Sequence, residues 1–285
     1  MGSTFKAKGL DSPKLCAEML LSHVLGCDRL RLYMDADRPA SDIERGLLRE
    51  MVARALAHEP VQYLVGEAWF FSMVFKVDRR VLIPRPCTEL LVEQVIQHAR
   101  VTPGAGSDAP AIGDVCTGSG CIAVALARHM KQARVVATDI SGDALTLAKE
   151  NAEKHGVEGR VEFVRGDLLE PLLSHPIGSR LNYLVSNPPY IPDREWNDPE
   201  MMGINVKGHE PEGALRGGVD GLKFVRPLIE QGPDRLMPGG MLLVEFASST
   251  AEEVLSLARS NPALEGVRIS ADTDGLPRML CATRA

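Results

Sequence analysis

The chain has 285 residues, of which 45% are hydrophobic and 25% are charged, and its formal net charge is −6. This composition is that of a globular protein with one large domain or two, and the acidic balance argues against double-stranded DNA as the main partner. No run of 18 apolar residues is present, so we expect no membrane-spanning helix and a cytoplasmic location. The cysteines and histidines form neither C-x-x-C nor H-E-x-x-H, so we expect free thiols and no metal site.

The first 59 residues predict a small helical domain. Ser12-Pro13 is a typical helix start, and Gly26 ends the apolar residues at helical spacing that follow it. A second helix begins at Ser41, where Glu44 completes a capping box. The apolar stripes of these helices either pack a small bundle or present a docking face for a partner protein.

Residues 60–84 predict a β-hairpin that links two domains, with strands at 61–65 and 70–77 around a break at Gly66. Arg85 follows between two prolines, and Thr88 can cap the next helix. The loop around Arg85 is either part of a binding site or a plain linker. Residues 101–110, rich in proline and glycine, predict a flexible spacer.

A strand, a glycine turn and a helix follow one another in residues 111–130. The turn, Thr117-Gly118-Ser119-Gly120 directly after Cys116, predicts backbone N–H groups and a helix N-terminus around a ligand. It lacks the Gly-Lys-Ser/Thr of a phosphate loop. Asp114 precedes the turn, where a carboxylate attracts a cationic group such as an α-amino group and repels a pyrophosphate.

Two further acidic residues stand at the ends of the next two predicted strands. Asp139 ends strand 134–138 about twenty residues after the glycine turn, the place where an acid binds ribose hydroxyls. Asp167, followed by Leu168, comes after strand 161–165, where it is placed to meet an adenine amine. Each acid alone fits a helix cap or a turn former, but the set of turn and acids at successive strand ends is much more specific.

A fourth predicted strand, residues 181–186, leads into Asn187-Pro188-Pro189-Tyr190. The prolines stop the strand and hold Asn187 in extended geometry at the carboxyl end of the sheet. The side-chain oxygen of Asn187, the carbonyl of Pro188 and the ring of Tyr190 together suit a planar group that bears an NH2. A proline-stiffened turn is the alternative for this motif when it is taken alone.

These motifs together resemble the PrmC/HemK family of peptide chain release factor glutamine methyltransferases. The resemblance includes Ile83-Pro84-Arg85-Pro86-x-Thr88-Glu89 and His209-Glu210-Pro211, and it covers nearly the whole chain. Cys116 stands where the family usually has glycine, and a positive φ there would strain the backbone because Cys116 carries a Cβ atom. Cys87 stands where the family often has an acidic residue.

The resemblance implies an α/β fold of the class I S-adenosylmethionine-dependent methyltransferases. It has a Rossmann-like, seven-stranded sheet whose last strand is antiparallel. The implied domains are a helical substrate-docking domain at 1–59, the β-hairpin linker at 60–84 and the methyltransferase domain at 85–285.

The resemblance also implies the site. Catalysis is assigned to Asn187, Pro188 and Tyr190, and the same residues with Pro189, Arg85 and Glu210 are assigned to the substrate. Glu210 either contacts the substrate or fastens the long loop at 191–218. Binding of S-adenosylmethionine, and of its product S-adenosylhomocysteine, is assigned to Asp114, Cys116, Thr117, Gly118, Ser119, Gly120, Asp139, Asp167, Leu168 and Asn187.

The implied reaction methylates the side-chain nitrogen of the glutamine in the Gly-Gly-Gln motif of class I release factors. We expect a monomer without a stable nucleic-acid partner. Three alternatives stay open. They are glutamine methylation of a ribosomal protein, adenine-amine methylation of nucleic acid, and a non-catalytic cofactor-binding partner of the translation machinery.

Overall fold

The computed structural model describes residues 1–101 and 109–285. The chain begins with a group of helices, which are α1 (Gly2–Ala7), α2 (Pro13–Leu25), α3 (Arg29–Met34), α4 (Asp42–Leu56) and α5 (Val61–Val65). The predicted start of α2 at Pro13, its end at Gly26 and the capping box of Ser41 and Glu44 are confirmed, but Ser12 makes no side-chain capping hydrogen bond.

A small core joins the N-terminal helices. Its buried side chains come from α1, α2, α4 and α5, and they are Phe5, Ala17, Leu20, Met51, Ala55, Val61 and Leu64. The predicted apolar face of α4 is only partly buried, because Ile43 and Leu47 are exposed. Within the described residues, no helix is long and apolar enough to cross a membrane.

The predicted strand at 61–65 is wrong, because this segment is the helix α5. Pro60 precedes its first turn and Gly66 ends it in the left-handed region, and both signals favour a helix. Val61 and Leu64 lie three residues apart, so one helical turn brings both into the N-terminal core. The hairpin is displaced toward the C-terminus, with β1 at Glu67–Phe70 and β2 at Met73–Lys76.

The remaining chain alternates strands and helices. The strands are β3 (Ala111–Val115), β4 (Arg134–Asp139), β5 (Val161–Arg165), β6 (Leu181–Ser186), β7 (Leu236–Glu245), β8 (Leu264–Ala271) and β9 (Pro277–Arg284). The helices are α6 (Glu89–Val101), α7 (Cys121–His129), α8 (Gly142–Lys154), α9 (Glu170–Ser174), α10 (Asp193–Trp196), α11 (Ile204–Lys207), α12 (Val225–Gln231) and α13 (Ala251–Ser260).

In the described part of the chain, β3 to β9 form one sheet in the order β5-β4-β3-β6-β7-β9-β8. Adjacent strands from β5 to β7 pair in parallel, while β9 is antiparallel to both β7 and β8. The predicted seven-stranded sheet with an antiparallel last strand is confirmed. The predicted spacer at 101–110 falls largely on residues 102–108, which lie outside the described residues.

Successive residues of each central strand enter different cores on the two faces of the sheet. Tyr183 and Val185 of β6 pack toward α6 and α7, whereas Leu184 packs toward α12 and α13. Because side chains alternate along a strand, a strand covered on both faces reads as a continuous apolar run. This pattern is why the buried strands could be recognised in the sequence.

The long segment after β6 is more ordered than the sequence predicts. It contains α10 and α11, and its side chains Trp196, Met202 and Leu215 are buried in a small cluster with Leu82. Trp196 therefore anchors this segment to the loop that follows the hairpin.

A buried amide attaches the hairpin to the sheet domain. Asn151 of α8 donates to the carbonyls of Lys76 and Ser119 and accepts from the backbone N–H of Lys76, at distances of 3.0, 2.9 and 2.7 Å. Asn151 is fully buried. One side chain therefore joins the end of β2, the helix α8 and the glycine turn.

We expect Asn151→Ala to lower the free energy of unfolding by about 3 kcal/mol, because it leaves buried backbone groups without hydrogen-bond partners. Urea unfolding followed by circular dichroism measures this change. The exposed Asn197, changed to Ala, is the control and should change stability by less than about 0.5 kcal/mol. Equal effects of the two variants would contradict this role of Asn151.

Candidate active site

A cavity of about 450 Å³ opens at the carboxyl ends of β3, β4, β5 and β6. Ligand sites of open α/β sheets lie at this edge, and the volume falls within the range of small-molecule pockets. The predicted site residues that line the cavity are Cys116, Thr117, Gly118, Ser119, Asp139, Asp167, Leu168, Asn187 and Pro189. Its wall also includes Arg80, Leu82, Thr88, Ile140, Lys223 and Phe224.

The glycine turn curves away from the end of β3 through positive φ angles. Cys116 has a φ of 61°, Gly118 of 54° and Gly120 of 77°. Cys116 therefore adopts the positive φ that strains a residue with a Cβ atom, at a cost of about 1–3 kcal/mol. A Cβ atom on Gly120 would lie 3.0 Å from the Cβ of Ala148, so glycine is also required there for close approach to α8.

Asp139 at the end of β4 faces the cavity with two backbone donors already in place. Its carboxylate accepts from the N–H groups of Gly118 and Ser141, both at 2.9 Å. Burial raises the pKa of Asp139 above its ordinary value, although these N–H groups oppose the shift. Each carboxylate oxygen has a second lone pair, so Asp139 can also accept from neighbouring hydroxyl groups of a ribose.

Asp114 lies beneath the glycine turn and is fully buried. One carboxylate oxygen, Oδ2, accepts from Thr117 Oγ1 at 2.6 Å and from the N–H of Ala123 at 3.1 Å. The other oxygen, Oδ1, has no hydrogen-bond partner within the described residues. Asp114 does not line the cavity itself, so its hydrogen bonds support the turn, and its assignment to the cofactor stays a prediction.

Asp167 and Leu168 form the wall of the cavity after β5. Leu168 has a φ of 45°, and its carbonyl accepts from Thr138 Oγ1 at 3.2 Å. The preceding Gly166 donates its N–H to the carbonyl of Asp139 at 3.1 Å. These bonds hold the acidic ends of β4 and β5 side by side on one edge of the cavity.

Asn187 reaches the cavity from the end of β6, and its amide is held from behind. Its Nδ2 donates to Thr88 Oγ1 at 3.0 Å, and Thr88 in turn donates to Oε2 of Glu245 at 2.7 Å. The hydroxyl of Tyr190 donates to Oε1 of the same carboxylate at 2.9 Å. Burial raises the pKa of Tyr190 well above its usual value, so the phenol stays protonated.

Arg85 and Glu210 lie outside the cavity wall and bind each other. Glu210 is buried and accepts from Arg85 Nη2 at 2.5 Å and from the N–H of Ile83 at 3.0 Å. Of the two alternatives for Glu210, these bonds favour the fastening of the long loop. The assignment of Arg85 to the substrate stays a prediction.

Thr88 and Glu245 are two polar residues at the site whose place there was not predicted from the sequence. Thr88 was expected to cap the next helix, but it lies in a 3-10 turn before α6, and its hydroxyl donates to Glu245. Glu245 is 1% exposed at the end of β7. An acidic residue that ends an apolar strand at the ligand edge of the sheet was the available signal.

The sheet, the glycine turn and the acidic strand ends define a class I S-adenosylmethionine-dependent methyltransferase. Two family models match the chain, the PrmC N-terminal domain over residues 2–66 and the methyltransferase small domain over residues 86–202.

Solved structures support the fold alone. The hMettl16 catalytic domain has a TM-score of 0.56 at 13% identity and covers 87% of this chain and 94% of its own. A methyltransferase from Pyrococcus furiosus has a TM-score of 0.51 at 15% identity, and the match covers 82% of this chain and 98% of its own.

Curated relatives match at higher identity. The release factor glutamine methyltransferase of Chlorobaculum tepidum is 41% identical over 97% of this chain and 92% of its own length. That of Geobacter sulfurreducens is 42% identical over 88% of this chain and 82% of its own length. The chain belongs to the release factor glutamine methyltransferase family.

The buried Asp114 should make stability depend on pH. Burial raises the pKa of Asp114 from 3.8 to about 7. Since the folded value lies above the unfolded one, its contribution to stability is complete below pH ~4 and is lost as the pH rises through ~7.

We expect Asp114→Asn to reduce the fall in the free energy of unfolding between pH ~5 and pH ~8 by about 3 kcal/mol. The amide oxygen of the variant can still accept from Thr117 and Ala123. Urea unfolding of both proteins at the two pH values is the measurement. Both proteins contain other buried carboxylates with raised pKa values, such as Asp139 and Glu245. The quantity compared is therefore how steeply the free energy of unfolding falls with pH in each protein. Parallel pH profiles would contradict the assignment.

Proposed function

We propose that this chain transfers a methyl group from S-adenosylmethionine to the side-chain nitrogen of the glutamine in the Gly-Gly-Gln motif of class I peptide chain release factors. The observation that carries the proposal is the amide of Asn187, which lines the cavity and is held by Thr88 at 3.0 Å. Relatives that match nearly the whole chain, including the helical domain, are named release factor glutamine methyltransferases.

The residues around the cavity suit the cofactor. Asp139 accepts hydrogen bonds from the ribose hydroxyls of S-adenosylmethionine, and Asp167 accepts from its adenine amine. The turn from Cys116 to Gly120 lies along the amino acid portion of the cofactor. Ile140 lies on the cavity wall with 65% of its surface exposed, so it offers an apolar face to a bound base. S-adenosylmethionine, when bound, supplies a methyl group on a positively charged sulfur.

The substrate amide is oriented by two acceptors. The Oδ1 atom of Asn187 and the carbonyl of Pro188 accept the two hydrogens of the glutamine amide, while Tyr190 and Pro189 pack against its plane. An amide nitrogen is a weak nucleophile, because its lone pair is delocalised. The main contribution of the chain is therefore orientation. As the nitrogen gains positive character, its bonds to these oxygens strengthen, so they stabilise the transition state more than the bound substrate.

The chain acts, in this proposal, as a monomer in the cytoplasm, where release factors work. The net charge of −6 favours a protein substrate over a stable nucleic-acid partner. Adenine-amine methylation and a ribosomal-protein glutamine remain the alternatives to be tested beside it.

The direct test is methyl transfer from labelled S-adenosylmethionine to a purified class I release factor. We expect label on the wild-type factor and none on a matched factor whose Gly-Gly-Gln glutamine is changed to alanine, because only that amide fits between the two acceptors. Equal labelling of the two factors would assign another residue. No label on either, with cofactor binding intact, would favour a ribosomal-protein or nucleic-acid substrate. Failure on those as well would favour the non-catalytic role.

We expect Asn187→Ala to abolish measurable turnover, a loss of at least ~100-fold, because the substrate amide loses an acceptor aimed at the developing charge. Binding of S-adenosylhomocysteine, measured by calorimetry, should change by less than about threefold, since the remaining cofactor contacts stay in place. The same labelled transfer assay gives the rate. Unchanged turnover would remove Asn187 from the catalytic residues.

A further inference from the structure

Glu245 lies directly behind the two side chains that the proposed reaction uses. It ends β7, it is 1% exposed, and its two oxygens accept from the hydroxyls of Thr88 and Tyr190 at 2.7 and 2.9 Å. The thiol of Cys87 lies 3.7 Å from Oε1. A buried carboxylate thus connects the start of α6 with the Asn-Pro-Pro-Tyr loop.

The chemistry of a carboxylate sets the direction of every hydrogen bond in this chain of groups. An ionised carboxylate only accepts hydrogen bonds, so the hydroxyl of Thr88 must donate its one hydrogen to Glu245. The oxygen of Thr88 is then free only to accept, and it takes a hydrogen from Nδ2 of Asn187 at 3.0 Å. The oxygen of the Asn187 amide must therefore point away from Thr88.

We infer that Glu245 is a positioning residue for methyl transfer, which acts through Thr88 to present the oxygen of Asn187, rather than its NH2 group, to the substrate amide. This inference rests on the proposed function. A substrate NH2 group requires acceptors. With the amide of Asn187 turned by half a rotation, two NH2 groups would face each other. The order of donors and acceptors behind Asn187 is then as necessary as Asn187 itself.

Glu245 must be ionised to play this role. Burial raises its pKa, whereas the hydroxyls of Thr88 and Tyr190, the nearby Arg278 and the Cys87 thiol oppose that shift. Arg278 forms its ion pair with Asp272, at 3.0 Å, and acts on Glu245 only through its nearby charge. Protonation of Glu245 would place a donor opposite Thr88 or Tyr190 and would have the same effect as replacement by glutamine.

Glutamine at position 245 keeps the shape of the side chain but replaces one acceptor oxygen by a donor. When its NH2 faces Thr88, the hydroxyl of Thr88 turns toward Asn187 and favours the reversed amide. When its NH2 faces Tyr190, the phenol loses its acceptor in a buried environment. In either arrangement one of the two groups that contact the substrate is no longer held as in the wild type.

The test compares Glu245→Gln with the wild type in the labelled transfer assay on the release factor. We expect kcat to fall by about 100-fold, the effect of misplacing a substrate-orienting group, while KM for the factor and the affinity for S-adenosylhomocysteine change by less than about threefold. A kcat within about threefold of the wild type would overturn the inference, and so would a loss of activity that only parallels a loss of cofactor affinity.

A second pair of variants tests the same connection if Glu245→Gln does not fold. Thr88→Val keeps the side-chain shape without the hydroxyl, and we expect a loss of kcat similar to that of Glu245→Gln. Thr88→Ser retains the hydroxyl, so it should recover most of the activity that Thr88→Val loses. Equal kcat values for the two Thr88 variants would overturn the inference.

The wild type in the same assay separates this inference from the proposal on which it rests. Wild-type transfer to the Gly-Gly-Gln glutamine with unaffected Glu245 and Thr88 variants would overturn the role of Glu245 alone. Absence of wild-type transfer would overturn the proposed function, and the role of Glu245 in that reaction with it.

Discussion

Buried carboxylates at the ligand edge of the sheet must find hydrogen-bond donors, and much of the site depends on this constraint. Asp114 accepts hydrogen bonds from the hydroxyl of Thr117 and the N–H of Ala123, and these bonds stabilise the glycine turn after β3. Glu245 accepts hydrogen bonds from the hydroxyls of Thr88 and Tyr190 at the other end of the site. Asp139, between them, binds the turn and the start of α8 through backbone N–H groups. Each carboxylate joins segments that the sheet alone would leave separate.

The same principle extends beyond the cavity to the long loop. Glu210 is buried because it accepts from the backbone of Ile83 and from Arg85, so the segment after β6 is attached to the loop that follows the hairpin. Trp196 adds an apolar contact at the same place. The cavity wall formed by this segment is therefore a packed structure, and Asn151 attaches the hairpin from the other side. The cavity, the hairpin and the loop form one connected unit.

Local patterns in the sequence predicted most of the sheet, because a strand buried on both faces has to be apolar at nearly every position. They failed at Val61–Val65, where β-branched residues favoured a strand, while the proline before them and the glycine after them favoured a helical turn. Burial of Val61 and Leu64 against the other N-terminal helices decided in favour of the helix. They also missed Thr88, whose position before a helix is typical of a cap, because its actual acceptor belongs to a distant strand.

From the sequence alone, periodicity and the positions of proline and glycine determined most of the strands and the acids and amide at the ends of β3 to β6. The resemblance of the motifs to the PrmC/HemK family implied the class of fold and the family. Only the tertiary structure decided how those side chains are paired. Thr88 and Glu245 are 157 residues apart, and Asn187 and Thr88 are 99 apart, so no local pattern could join them. Their contact results from the order of strands in the sheet, which places the ends of β6 and β7 beside the start of α6. The tertiary structure likewise placed Asp114 beneath the turn and joined Glu210 to Arg85, because burial leaves a charged group only the donors that packing brings within reach.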